Sequence, residues 1–107
     1  MSKITLEYSG KKYTLEYNRQ SVRMIESQGF VAEQLSAKPV TMIPILFQGA
    51  FIKNHKGIKR DLIDEIYEAI ADKSGLIVAL VELYSETVGT LLDDKAESGN
   101  VSWAVTK

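Results

Sequence analysis

Cysteine is missing from this chain of 107 residues, so neither a disulfide framework nor thiolate chemistry is open to it. Histidine occurs once, at position 55. A metal site of His and Cys ligands therefore has no second member, and a triad built on His55 needs a Ser and an Asp brought from distant segments. Excess charge is also lacking: 13 basic against 14 acidic side chains give a formal charge of −1. Nonspecific nucleic-acid binding draws on a basic surplus that displaces counterions, and none is present. Prolines number two, Pro39 and Pro44, and no Pro/Ser-rich linker divides the chain. The apolar run Leu76 to Leu92 is broken by Glu82 and Glu86, short of the roughly 20 apolar residues of a membrane span. The N-terminus has no continuous apolar stretch of the kind found in a signal peptide. A cytoplasmic chain with no membrane association is the expectation.

What is present is ordinary globular composition, 45% hydrophobic and 25% charged, at the length of one domain. Residues 1–17 alternate. Ile4, Leu6 and Tyr8 are interleaved with polar side chains, and so are Tyr13, Leu15 and Tyr17. Period-two alternation describes strands with one buried face. A two-residue Gly10-Lys11 turn of type II′ would set Tyr8 opposite Tyr13 and Leu6 opposite Leu15. A lone hairpin is marginal in water, so its apolar face must rest on helices.

Residues 18–93 read as helical. Asn18 is placed to cap a helix over Arg19 to about Gln28, with Val22, Ile25 and Met24 inward and Gly29 ending it. Phe30, Val31 and Leu35 anchor a further turn or two. Thr41 is placed to cap a helix running to about Lys53, with Pro44 in its first turn. Met42, Ile43, Ile45, Leu46, Phe47, Ala50, Phe51 and Ile52 leave that helix almost no polar face, which puts it at the centre of a domain or in an interface. Asp61 to Ala71 is amphipathic, with Leu62, Ile63, Ile66, Tyr67 and Ile70 in one stripe. Lys73-Ser74-Gly75 reads as a break, and the last helix spans about Leu76 to Leu92. The class is α+β, mainly α: an N-terminal hairpin on a bundle of four to five helices, forming one globular domain over residues 1–93. Residues 94–107 form a polar tail whose Val101, Trp103 and Val105 alternate like a strand, either free or added to the hairpin's edge.

Candidate chemistry is sparse. Asp61, Asp64, Glu65 and Glu68 stack on one helical face. They could bind a divalent cation, and without a calcium-loop pattern the expectation is a solvated face. Lys53, Lys56, Lys59 and Arg60 surround His55 in a loop closely followed by acids, a mixed local field. His55 itself reads as an exposed loop residue. No phosphate-binding glycine motif occurs, and Gly49-Ala50 either permits close helix approach or simply packs. No catalytic residue, cofactor or metal is expected. Met42, Phe47, Phe51 and Tyr84 either fill the core or line an apolar partner surface. Trp103 is either docked on the parent fold or held for a partner, since aromatic anchors are enriched at interfaces.

The segments Ile4 to Tyr17, Asn18 to Glu26, Phe47-Gln48-Gly49-Ala50-Phe51, Leu80-Val81-Glu82-Leu83-Tyr84 and Val101-Ser102-Trp103-Ala104-Val105, in that order, resemble the small tail assembly chaperones of long-tailed bacteriophages and prophages. These segments are spread over nearly the whole chain. The resemblance implies a non-enzymatic role, in which the tape measure protein is kept soluble while tail tube protein polymerises around it. It also implies that the chain is the shorter of two products where a ribosomal frameshift operates, and that it is missing from finished virions. A homo-oligomer is compatible with the apolar helices. The competing readings are a head–tail connection protein, a nucleic-acid-associated regulator and a small enzyme or metal protein.

Overall fold

In a computed structural model, which describes residues 3–91 and 104–105, strands β1 (Ile4–Tyr8) and β2 (Lys11–Leu15) form an antiparallel hairpin. Helices α1 (Arg19–Ser27), α2 (Pro39–Gly49), α3 (Arg60–Ala69) and α4 (Lys73–Leu91) follow, with a short 3-10 turn at Ala32–Gln34 between α1 and α2. The class expected from the sequence, a mainly helical α+β fold opened by a hairpin, is the one observed.

The hairpin register differs from the expected one. Ile4 faces Leu15, Leu6 faces Tyr13 and Tyr8 faces Lys11. The turn is Ser9-Gly10, with φ of 51° and 78°. Two positive φ angles are those of a type I′ turn, whose twist matches that of the strands. The slip is an even number of residues, so the apolar face survives it. Tyr13, Leu15 and Tyr17 are buried, and Ile4, Leu6 and Tyr8 pack partly on the same core.

Asn18 caps α1 as the sequence suggests. Its Oδ1 accepts from the Ser21 N–H at 2.8 Å, while the Ser21 Oγ accepts from the Asn18 N–H at 2.8 Å. This reciprocal box satisfies two of the donors a helix start leaves open. Gly29, at φ 102°, takes the left-handed position just past the helix end. Met24 points outward at 41% exposure, and Val31 is likewise exposed. Neither is the core anchor expected, because Val22, Ile25 and Phe30 already fill the inner face.

Helix α2 starts two residues before Thr41. Pro39 occupies its first position, where a missing N–H costs nothing. Pro44 therefore falls inside the helix and not in its first turn. The helix stops at Gly49, and residues beyond continue as turns. Helix α4 takes in the expected break at Lys73-Ser74-Gly75: Asp72 Oδ1 accepts from the Gly75 N–H at 3.0 Å and acts as its cap. The buried face of α4 holds Leu80 and Leu83, the latter not foreseen, together with Thr87.

One cluster of buried side chains joins hairpin and helices, with Leu15, Ile25, Leu46, Phe47, Phe51, Ile66 and Leu80 at its centre. Tyr17 is its main polar link. Its hydroxyl donates to the Leu46 carbonyl at 2.6 Å. Leu46 lies in the last turn of α2, and the Ala50 N–H that would bond it in a continuing helix goes to the Phe47 carbonyl instead, at 3.1 Å. Tyr17→Phe keeps the ring and strands that carbonyl, so unfolding free energy should drop by about 1–3 kcal/mol. Burial also pushes the Tyr17 phenol well above its ordinary value of 10.0. The folded state therefore holds this proton after the unfolded chain has released it. Its contribution is complete below pH ~10 and is lost as pH rises further, at about 1.4 kcal/mol per pH unit. Urea titrations above pH ~10 should show this slope in the wild type and one proton less of it in Tyr17→Phe; equal slopes would refute it.

The strand-like stretch around Val101 and Trp103 lies outside the described residues. Ala104 and Val105 are exposed and belong to no strand. No helix among the described residues is long and apolar enough to cross a membrane.

Candidate functional site: a groove between two helices

Of the four apolar candidates on the described helices, three lie in the core. Met42, Phe47 and Phe51 are 4%, 1% and 1% exposed. Met42 takes the core alternative, while Phe51, as deeply buried, also borders a second hollow described below. The Met42 sulfur accepts from the Val31 N–H at 3.4 Å, which fastens the connection after α1. Phe51 packs edge-on against Tyr13 and Phe47, at 5.9 and 5.1 Å between ring centres. These side chains are inward because hairpin and helices converge on that side of α2. Tyr84 is half-buried. Its hydroxyl donates to Glu26 at 3.0 Å, and its ring meets Tyr17 and Phe30 edge-on, which joins α4 to α1. Trp103 lies outside the described residues.

Phe47 has a second aspect. Its ring, set against Tyr67 at 5.4 Å, floors a groove of about 530 Å³ between α2 and α3. Pro39, Val40, Ile43 and Pro44 form one wall, and Asp64, Tyr67 and Glu68 the other. The spacing explains the walls. Pro39, Ile43 and Phe47 recur every four residues, as helical neighbours do, and Asp64, Tyr67 and Glu68 stand at i, i+3 and i+4. Val40 is 88% exposed, an extreme value for a valine on a helix. Pro44 has no N–H to donate to the Val40 carbonyl four residues earlier. The groove's rim carries two carboxylates, Asp64 and Glu68.

The groove was partly legible in the sequence. Ile43 and Phe47 belong to an apolar helix, and Tyr67 and the acids to an amphipathic one. The shared face of Pro39, Val40, Ile43 and Pro44 was missed, because a helix apolar all round does not announce which side its own fold covers.

The other polar clusters are largely spent on the fold. His55 is not the exposed loop residue expected. Its Nε2 accepts from the Thr14 N–H at 3.0 Å, and its ring lies edge-on to Tyr13 at 5.2 Å. That bond requires the neutral ring with its proton on Nδ1. Glu16 accepts from Lys53 at 3.0 Å and from Asn54 at 3.0 Å. The Asn54 amide, and after it the Lys53 ammonium, hold the Glu16 carboxyl below its usual range. Arg60 donates to Gln48 at 3.1 Å. The basic loop of residues 53–60 is thereby divided: Lys53 and Arg60 face protein partners, while Lys56 and Lys59 are exposed. Among the acids of α3, Glu65 accepts from the Tyr8 hydroxyl at 2.9 Å and ties the hairpin to the helix. Among the described residues no three His, Asp or Glu side chains converge as metal ligands. A second hollow, about 430 Å³ on another side of α2, is lined by Gln20, Met24, Gln48, Phe51, Lys56 and Arg60 among others, a rim of amides and cations.

No curated protein and no solved structure matches the chain. The family model described as a domain of unknown function, DUF5055, matches residues 1–106, and the chain belongs to that family.

Proposed function

We propose that this protein is a tail assembly chaperone of a long-tailed phage or prophage, a non-enzymatic binding factor acting in the bacterial cytoplasm. It holds a segment of the tape measure protein while tail tube subunits assemble. The observation that carries the reading is the α2–α3 groove, where Pro39, Val40 and Pro44 stay exposed and Ile43 half-buried beside a filled core. Solvent-facing apolar side chains gathered in a hollow are the mark of a protein-binding surface. The order of the resembling segments supplies the partner. Pro44 adds support, since a proline inside a helix costs about 3 kcal/mol and such local costs are retained where a site uses them.

The test is affinity capture of the tagged protein from cells during tail assembly, with mass spectrometry of the captured proteins and of purified virions. Tape measure protein should be captured, and the tagged protein should be missing from virions. Its presence in virions would instead establish a head–tail connection protein, and capture without tape measure protein would overturn the chaperone reading. Retention on DNA that collapses steeply with salt would favour a nucleic-acid regulator.

A further inference from the structure

We infer that the α2–α3 groove takes a helical segment whose apolar stripe is flanked by Lys or Arg; this rests on the binding reading above for its partner, but not for its chemistry. The floor is apolar and aromatic, at Phe47 and Tyr67, which suits apolar anchors. The wall from Pro39 to Phe47 is about 12 Å long at 1.5 Å per residue, room for two turns of a docked helix.

The rim decides the charge. Asp64 and Glu68 are exposed and one helical turn apart on α3. Among the lining residues none is basic, and the Tyr67 hydroxyl is the one side-chain donor. A ligand must therefore bring donors, and flanking ammonium or guanidinium groups bring the most. The neighbouring Lys73 ammonium, 5.5 Å from the Tyr67 ring centre, donates to the Glu68 and Ile70 carbonyls at 3.3 and 3.0 Å. The contrast with the second hollow, rimmed by Lys56 and Arg60, makes the sign of the charge specific to this face.

The experiment uses two labelled helical peptides of about 18 residues, of the length that two or more turns and their flanks require. They share one Leu/Phe stripe and differ in carrying Lys or Glu beside it. Fluorescence anisotropy gives affinity, and amide NMR of the labelled full chain gives the site. The Lys peptide is expected to bind at least about tenfold tighter, the effect of roughly 1.4 kcal/mol, and to shift Val40, Ile43, Asp64 and Glu68 amides. Asp64→Asn with Glu68→Gln should erase most of that preference. Val40→Lys, at a position so exposed that folding is unaffected, should cost the Lys peptide about tenfold. Equal affinity for the two peptides, shifts elsewhere, absence of binding, or an indifferent Val40→Lys would each overturn the inference. The two readings separate cleanly. Val40→Lys protein that still captures tape measure protein refutes the groove and keeps the chaperone. Peptide binding as expected without tape measure capture refutes the chaperone and keeps the groove.

Discussion

Phe47→Ala is expected to lower the unfolding free energy by about 3–5 kcal/mol. That is a large part of the roughly 5–15 kcal/mol that holds a domain of this size. The ring is 1% exposed and touches Phe51 at 5.1 Å and 83°, and Tyr67 at 5.4 Å and 63°. Truncation loses the buried area, two edge-on aromatic contacts and the packing around the void. At about 4–8 °C per kcal/mol the melting temperature should fall far enough to leave the variant partly unfolded near 37 °C. The measurement that gives this result meaning is its comparison with Val40→Lys. Both residues line one groove, but Val40 is exposed and its replacement should change stability by no more than about 0.5 kcal/mol. Loss of binding in Phe47→Ala reports loss of fold, and only the Val40 variant reports the surface. Equal urea midpoints for Phe47→Ala and wild type would show that the ring is not a core residue.

Gly49→Val should be nearly as damaging, and Gly49→Ala should cost about 1–3 kcal/mol. Exchange of glycine for alanine in a helix ordinarily gains up to ~1 kcal/mol from propensity. Here sterics prevail. A Cβ built on Gly49 falls inside the contact radius of the Ile25 Cγ2 on α1 and also touches the Tyr17 ring. Ile25 is fully buried, and its β-branched side chain has no free rotamer to retreat into. The glycine therefore permits a close approach of α1 and α2, the first of the two options its position in the sequence left open. A double-mutant cycle isolates the clash. Ile25→Ala alone should cost about 2–5 kcal/mol, and distinctly less in a Gly49→Ala background. Additive costs would mean that the two residues do not meet.

These two positions also mark how far the sequence could be read. The expectation that Phe47 is either core or partner surface was sound in kind, since a helix with no polar face offers both. The fold makes the ring a core residue, and one edge floors the groove. Phe51 is as buried as Phe47 and borders the second hollow, whereas Met42 is buried and lines neither hollow. Asp64 and Glu68 read as a solvated face, which they are, but their place opposite Val40 depends on where α3 packs. His55 was misjudged for the same reason. Its neighbours in sequence are polar, while its partners, Thr14 and Tyr13, lie some 40 residues away in β2.

Local chemistry alone determined the strand alternation, the Asn18 box, the left-handed Gly29 and the amphipathic stripe of α3, because each depends on residues within one or two turns of one another. Absent cysteine and a solitary histidine also narrowed the chemistry before any coordinate was needed. Tertiary structure decided the rest. It chose which side of the all-apolar α2 is covered, paired the Tyr17 hydroxyl with Leu46, and left Val40 and Pro44 facing the acids of α3. The reason is physical. Apolar burial has no direction of its own, so a helix apolar on every side accepts any neighbour. Only the close approach at Gly49, the docked hairpin and the placement of α3 select which face remains open.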